Sequence, residues 1–156
     1  MSKVAESLKN VRGFTKIQLV DAKTGKVQGD SGWVGPNQVV NLGFQDYVVG
    51  GIGAVAGSKQ VVYMGIGIGS VPGAAATDLD GETLPRVTTD NSAVASKTLQ
   101  CTCQFAGSDM TQTITIQNVG LFDASSGGTL VCGNTYATSQ WASNQNVNAT
   151  YQLRFS

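Results

Sequence analysis

The chain has 156 residues, no histidine and no net charge, with ten basic residues against ten acidic ones. Charged residues make up only 13% of the chain, against about 25% in a typical soluble domain, whereas 49 residues are Ser, Thr, Asn or Gln and 20 are Gly. Without histidine there is no Ser-His-Asp triad, no Cys-His pair and no His-ligated metal, and a neutral domain is a poor non-specific ligand for nucleic acid.

A basic arm is predicted at the N-terminus. Residues 1–26 hold six bases against two acids, and the remaining residues hold four bases against eight acids, so a charge of +4 is balanced by −4. We therefore assign residues 1–13 to an arm and residues 14–156 to a single β-rich domain. The arm is expected either to contact a neighbouring subunit or an acidic partner, or to be a solvated terminus. Its candidate contact residues are Lys3, Lys9 and Arg12.

A β-hairpin is predicted directly after the arm. Residues 14–20 and 27–34 have the apolar pattern of strands, and residues 21–25 between them have turn chemistry, with a glycine suited to a left-handed position. The Gly-Pro-Asn sequence at 35–37 is expected to end the second strand.

One helix is predicted after this hairpin. It begins at Asn37 or Asn41, either of which can cap it, and it runs through Val49 to an end at Gly50 and Gly51. The residues at helical spacing are Val40, Phe44, Tyr47 and Val48.

From residue 60 onward the pattern is that of β-strands. The predicted strands are residues 60–68, 97–105, 113–123, 129–136 and 147–155. The alternation shifts its phase at Asn118, which predicts a β-bulge. Gly65, Gly67 and Gly69 share one face of their strand, so another part of the chain is expected to pack closely there. Residues 70–92 are predicted to form a long irregular loop, and loops of this length are usually functional or interfacial.

These elements predict a mainly β fold, an antiparallel β-sandwich or open barrel of about seven strands, with one short helix covering an end and polar outer faces. The three cysteines are an odd number, which argues against a closed disulfide framework. Cys132 pairs with Cys101 or Cys103, or all three are buried free thiols. The weakly charged run at 48–64 is too short and too interrupted for a membrane helix, so no membrane partner is expected.

Two groups of residues are candidates for partner contacts. Asp78 and Asp80 lie with Glu82 in an acidic loop, which is expected to be a solvated surface, with a calcium site as the alternative. Trp33 and Trp141 are candidate contacts at the rim of a protein interface, with burial in the core as the alternative. The polar tract at 137–146 is expected to form an exposed tip. We expect no catalytic residue, no metal and no cofactor.

Several short motifs follow one another in a defined order over residues 37–156. They are Val-Val-Asn-Leu-Gly-Phe at 39–44, Tyr-Met-Gly-Ile-Gly-Ile-Gly-Ser-Val-Pro at 63–72, Ala-Ala-Thr-Asp-Leu at 75–79, Gly-Glu-Thr-Leu-Pro-Arg at 81–86, Ile-Gln-Asn-Val-Gly-Leu-Phe-Asp-Ala-Ser-Ser-Gly-Gly-Thr-Leu at 116–130 and Val-Asn-Ala-Thr-Tyr-Gln-Leu-Arg-Phe at 147–155. This order resembles that of a group of small virion proteins of tailed bacteriophages, which are head decoration (cement) proteins or fibre and tail accessory proteins.

The resemblance implies a non-enzymatic structural protein of a bacteriophage virion. The first expectation is a capsid decoration protein that bridges neighbouring shell subunits, with the major capsid protein or other virion proteins as its partners. A tail or fibre adaptor and a carbohydrate-binding module for host recognition are the alternatives. The resemblance also implies a homo-oligomer, with a trimer favoured, that assembles in the host cytoplasm, and no nucleic-acid partner is expected.

Overall fold

The computed structural model describes residues 11–37, 39–110 and 113–155. In this part of the chain the architecture is mainly β, with two antiparallel sheets stacked as a sandwich that does not close into a barrel. The ten strands are β1 (Val11–Asp21), β2 (Val27–Asp30), β3 (Val34–Asn37), β4 (Tyr63–Gly67), β5 (Val87–Thr88), β6 (Asp90–Ala95), β7 (Thr98–Phe105), β8 (Ile114–Phe122), β9 (Leu130–Trp141) and β10 (Gln145–Phe155). The predicted fold class is therefore confirmed.

The larger sheet has the strand order β2-β1-β10-β7-β6, and β3 also pairs with β1. Its centre is the long antiparallel pair of β1 and β10, which runs without a register shift from Val11 opposite Phe155 to Asp21 opposite Gln145. The smaller sheet has the order β5-β4-β8-β9. Its β8–β9 register shifts between Ile116 and Asn118, so the predicted bulge is confirmed.

The main core lies between the two sheets. Alternate residues of each strand point to opposite faces, and the alternating apolar positions of β7 and β10 pack in this core, except Phe155 at the end of β10, which is 37% exposed. Its largest fully buried side chains include Trp141, Tyr151, Phe105, Met64 and Ile66. Amides on the outward faces of β7 and β10 pair across the strands: Gln104 Nε2 donates to Asn148 Oδ1 at 2.7 Å, and Gln152 Nε2 donates to Gln100 Oε1 at 2.8 Å.

A second, smaller cluster packs on the opposite face of the smaller sheet. It consists of Val40, Leu79, Phe122 and Leu130. The segment that leads from β4 to β5 supplies Leu79, so this segment covers the sheet as a third layer. Together with Val40, this segment buries the outer face of the smaller sheet.

The helical segment, here called α1, covers residues 41–52 and lies at one end of the sandwich. It contains a π-helical stretch, Gly43–Val49, followed by an α-helical turn, Gly50–Ile52. The sequence predicted that Gly50 and Gly51 end the helix. Both lie inside it, so this prediction was wrong. Asn37 does not cap it either, because this residue lies in β3 opposite Gly13 and its side-chain amide donates to the Gly133 carbonyl and the Tyr151 hydroxyl.

Several predicted boundaries were wrong. β1 begins at Val11, so residues 11–13 belong to the sheet and not to the arm. Residues 35–37 do not end a strand but form part of β3, and the predicted loop at 70–92 contains β5 and the beginning of β6. The tract at 137–146 belongs mostly to β9 and β10, and Ser143 and Asn144 are exposed in the turn between these strands. Short strands such as β3 and β5 form because long neighbours offer them backbone partners, a tertiary effect that local pattern does not carry.

Candidate interaction surface

The acidic loop predicted at 78–82 is organised by one buried arginine. The Arg86 side chain is 4% exposed, and its guanidinium forms two hydrogen bonds with the Glu82 carboxylate, from Nε at 2.8 Å and from Nη2 at 3.1 Å. Its Nη1 donates to the carbonyls of Ala124 at 3.0 Å and Gly127 at 2.6 Å. The guanidinium also stacks on Phe122 at 3.4 Å from the ring centroid, so this side chain ties the loop to the end of β8.

Asp78 and Asp80 have different surroundings within this loop. Asp78 is 70% exposed and lies 3.5 Å from Arg86 Nη2, a contact that contributes little in solvent. Asp80 Oδ2 accepts hydrogen bonds from the Ser70 backbone N–H at 3.2 Å and from its hydroxyl at 3.4 Å. Both acids therefore take part in interactions within the loop. Their role as partner contacts stays a prediction.

The glycine face of β4 is in direct contact with the same loop. A Cβ atom at Gly67 would lie 2.8 Å from the Gly81 carbonyl oxygen, and one at Gly69 would overlap the Asp80 carbonyl oxygen. The fully buried Asn118 donates from its side-chain amide to the carbonyls of Asp80 at 2.8 Å and Ser70 at 3.0 Å. The close packing predicted from the alternating glycines is confirmed, and the loop backbone is what packs there.

The described residues contain no group of three or more cysteine, aspartate or glutamate side chains placed to hold a metal ion. Glu82, the best-buried acid of the loop, is occupied by Arg86. The loop thus has the features of a structural element. That the chain binds no metal and no cofactor stays a prediction.

The two tryptophans occupy opposite environments. Trp141 is fully buried and its indole N–H donates to the Gln145 carbonyl at 2.7 Å, so its prediction as a rim contact was wrong. Trp33 is 45% exposed and lies 5.3 Å from the guanidinium of Arg154, which also stacks on Phe14 at 3.9 Å. Trp33 is therefore available at the surface, beside a cation–π stack.

The basic candidates of the predicted arm are divided by the start of β1. Arg12 is exposed on the outer face of the larger sheet and lies directly opposite Arg154 in the β1–β10 pair. Lys3 and Lys9 lie outside the described residues. A partner contact by any of the three stays a prediction.

An apolar surface that the sequence did not predict lies at the end of α1. We call residues 49–57 the apolar tip. Its large side chains are strongly exposed, with Ile52 at 86%, Val49 at 65% and Val55 at 57%, and no charged residue occurs between positions 47 and 58. Contiguous exposed apolar surface of this kind marks interaction sites in soluble proteins.

Backbone hydrogen bonds fix the conformation of the apolar tip. The Val55 N–H donates to the Gly50 carbonyl at 3.0 Å, and the Ser58 N–H donates to the Val55 carbonyl at 2.9 Å. The base of the tip is closed by the Lys59 N–H, which donates to the Asp46 carbonyl at 2.9 Å. The tip is thus preorganised, and binding to a partner would cost little conformational entropy of the tip.

A groove of about 560 Å³ continues from the apolar tip into the sandwich. One wall consists of α1 residues that include Tyr47, Val48 and Ile52, and the other consists of the larger sheet, with Leu99, Leu153 and Phe155. The Tyr47 hydroxyl donates to the Thr129 carbonyl, and burial raises the pKa of this tyrosine. The Tyr47 side chain therefore lines the groove in its neutral form at physiological pH.

The three cysteines are free in the described structure. Burial raises the pKa of the Cys101 thiol to about 12 and that of Cys103 to about 12, and burial also raises the pKa of Cys132. Of the two alternatives left open by the sequence, the structure shows free thiols, with Cys101 and Cys132 buried and Cys103 half-buried. Such thiols are poor nucleophiles, since the thiolate is the reactive form.

Comparison with known proteins gives no match: no family model, no curated protein and no solved structure is similar to the chain. No helix among the described residues is long and apolar enough to span a bilayer. The resemblance of residues 37–156 to phage virion proteins therefore stays a prediction.

The signal that could have revealed the apolar tip is present in the sequence. Residues 47–58 combine hydrophobic side chains with glycines and carry no charge, a pattern that indicated only the end of a helix and a run too short for a membrane helix. Periodicity cannot distinguish an apolar run that is buried from one that is exposed, so only the packing of α1 shows that the tip faces solvent.

Proposed function

We propose that the chain is a non-enzymatic structural protein of a bacteriophage virion, a decoration protein that binds the head shell and bridges neighbouring capsid subunits. The order of motifs over residues 37–156 supports this proposal as a resemblance. The observation that carries it is the preorganised apolar tip, because a surface of this type is maintained where a partner covers it. Virion proteins meet such partners at every position of a repeating lattice.

The apolar tip can supply a useful part of a binding free energy. Full burial of a Val or Ile side chain contributes about 1.5–3 kcal/mol. Scaled by the exposed fractions of Val49, Ile52 and Val55, which are 65%, 86% and 57%, burial of the three would contribute about 3–6 kcal/mol. This corresponds to roughly a 10²- to 10⁴-fold change in affinity, which is substantial for one subunit and is multiplied where several subunits act together.

The proposal is tested by binding to heads that lack the protein. Purified wild-type chain, Ile52→Asp and Val27→Asp are mixed with heads of the phage that encodes the chain, and bound protein is measured by co-sedimentation. Val27 is a matched control because it is an apolar residue of β2 that is 48% exposed and lies outside the tip.

We expect saturable binding of the wild-type chain and of Val27→Asp, and at least tenfold weaker binding of Ile52→Asp, because a carboxylate would be desolvated in the contact. Binding of Ile52→Asp that equals wild type would refute the role of the tip. If the chain is found in the virion tail and not on the shell, the tail-adaptor function replaces the decoration function.

A further inference from the structure

The outer face of the larger sheet carries an arginine that is held in place but only partly used. Arg154 Nε donates to Gln152 Oε1 at 2.9 Å, and the guanidinium stacks on Phe14 at 3.9 Å and lies 5.3 Å from the Trp33 ring. Within the described part of the chain, no acceptor meets Nη1 or Nη2 and no acidic side chain pairs with this arginine. The two terminal nitrogens of a planar guanidinium match a carboxylate bidentately. Arg154 is therefore preorganised to receive one.

A second arginine lies beside the first without a counter-charge. Arg12 is directly opposite Arg154 in the β1–β10 pair, where Cβ atoms are about 4.5–5.5 Å apart and like charges destabilise the sheet. Among the described residues Arg12 also has no acidic partner, whereas Lys16 of the same face pairs with Asp30 at 3.8 Å. We call Arg12 and Arg154 the arginine pair. An anion bound between its two guanidiniums would relieve their repulsion.

Neutral polar groups continue the face beyond the arginine pair. Thr98 of β7 lies directly opposite Arg154, and the three adjacent strands are about 4.8 Å apart, so a row about 10 Å long runs across β1, β10 and β7. In the next row Gln100 Oε1 accepts from Gln152 Nε2 at 2.8 Å. The side-chain amide N–H groups of Gln100 have no acceptor among the described residues. Hydroxyl and amide groups of this kind can pair with ligand hydroxyls.

The chemistry of this face favours one class of ligand. β1 and β10 pair with neighbours on both sides, so a peptide laid on the face would find none of the backbone partners that strand addition uses. Two uncompensated guanidiniums are few for nucleic acid, whose binding strengthens with each phosphate neutralised. An acidic sugar offers a carboxylate, several hydroxyls and an apolar ring face. Trp33, which is 45% exposed, offers an aromatic surface to such a ring.

We propose that this face binds a carboxylate-bearing pyranose sugar. The carboxylate lies on the arginine pair, the sugar ring packs on Trp33, and the hydroxyls pair with Thr98 and Gln100. The site lies on the outer face of the sheet and contains no residue of the apolar tip. It adds a glycan-binding activity to the proposed function and does not depend on it.

The experiment is an NMR titration of the isolated full chain, so capsid binding plays no part in its outcome. The probes are glucuronate and N-acetylneuraminate, with glucose as the neutral sugar, acetate as the bare carboxylate and a hexaglutamate peptide as the acidic polypeptide. The indole N–H signal of Trp33 reports binding. That of Trp141, which is fully buried, reports whether the fold is intact.

We expect a saturable shift of the Trp33 signal with at least one acidic sugar, and at least tenfold weaker binding of glucose and of acetate, because each lacks one half of the recognised group. The Trp141 signal stays in place throughout. No shift with either acidic sugar would overturn the proposal. Acetate that binds as well as the sugars would reduce the site to a simple anion site, and tighter binding of hexaglutamate would make it a docking surface for an acidic protein; either result also overturns it.

Substitutions locate the site. Arg154→Lys keeps the charge but loses the guanidinium fork, and it is expected to weaken sugar binding about tenfold, as is Arg12→Gln. Lys26→Gln is the matched control, because Lys26 is exposed in the turn after β1, at the opposite end of this strand from Arg12. Equal binding by wild type and Arg154→Lys would show that charge alone attracts the ligand, and equal losses in Arg12→Gln and Lys26→Gln would place binding elsewhere. Both results contradict the proposed site.

Discussion

Replacement of Arg86 by methionine is expected to destabilise the protein by about 3 kcal/mol. Arg86 is 4% exposed and its two hydrogen bonds to Glu82 measure 2.8 and 3.1 Å. Removal of one partner from a buried ion pair costs about 3–5 kcal/mol, because the other charge stays behind without compensation. The lower end applies here, since Glu82 is 22% exposed and water can reach it. Methionine is long enough to pack on Phe122, so the loss reports the charge and its hydrogen bonds, including those to Ala124 and Gly127, and not the side-chain volume.

Urea denaturation at neutral pH measures this loss as a lower transition midpoint with an unchanged m value. A loss of this size in a domain of 156 residues also lowers Tm by roughly 6–12 °C. Arg12→Met is the matched control, because Arg12 is exposed in β1 and such changes usually stay within about 0.5 kcal/mol.

A double-mutant cycle isolates the ion pair. Glu82→Gln removes the charge that Arg86→Met leaves uncompensated, so the double variant is expected to be more stable than the sum of the single losses predicts, by about 1–3 kcal/mol. A loss below about 1 kcal/mol for Arg86→Met, or strict additivity in the double variant, would refute the reasoning that this arginine holds the loop.

Three further predictions concern packing, thiols and pH. Gly67→Ala places a Cβ within 2.8 Å of the Gly81 carbonyl oxygen and is expected to cost about 1–3 kcal/mol by urea denaturation, whereas Gly73→Ala, with no atom within 4 Å, is the neutral control. All three cysteines are expected to resist a thiol reagent in the native protein and to titrate completely in denaturant without reductant; a recovery of only one thiol would reveal a disulfide. Burial raises the pKa of Asp123, but the Thr129 N–H and Lys59 outweigh this effect and its net pKa lies below the usual value. Its contribution to stability is therefore complete above the unfolded-state pKa of about 4 and is lost as the pH falls through the folded-state value, so Asp123→Asn should be less stable than wild type at neutral pH and equal to it in strong acid.

Patterns that depend on immediate neighbours predicted the fold well. The alternation in β7 and β10 identified inward-facing residues, because a strand with one buried face has a strict period of two. The shift of phase near Asn118 located the bulge of β8. The glycines of β4 indicated close packing, and the structure identifies the loop at 78–82 as the part that packs there.

Features that depend on distant partners were not predictable. β3 and β5 exist because β1 and β4 offer them backbone hydrogen bonds. The burial of Trp141 follows from the extension of β9 into a region whose Ser, Gln and Asn residues are typical of a loop. The exposure of the apolar tip was not predictable either, because the sequence does not show what covers an apolar run.

The measurement that tests the central claim most directly is a cryo-electron microscopy map of the virion that contains this chain. We predict that the sandwich lies on the head shell and that Val49, Ile52 and Val55 are covered by a capsid subunit. A map in which the chain lies on the shell while residues 49–57 face solvent would contradict the role of the tip, and a virion that lacks the chain would contradict the proposed function as a whole.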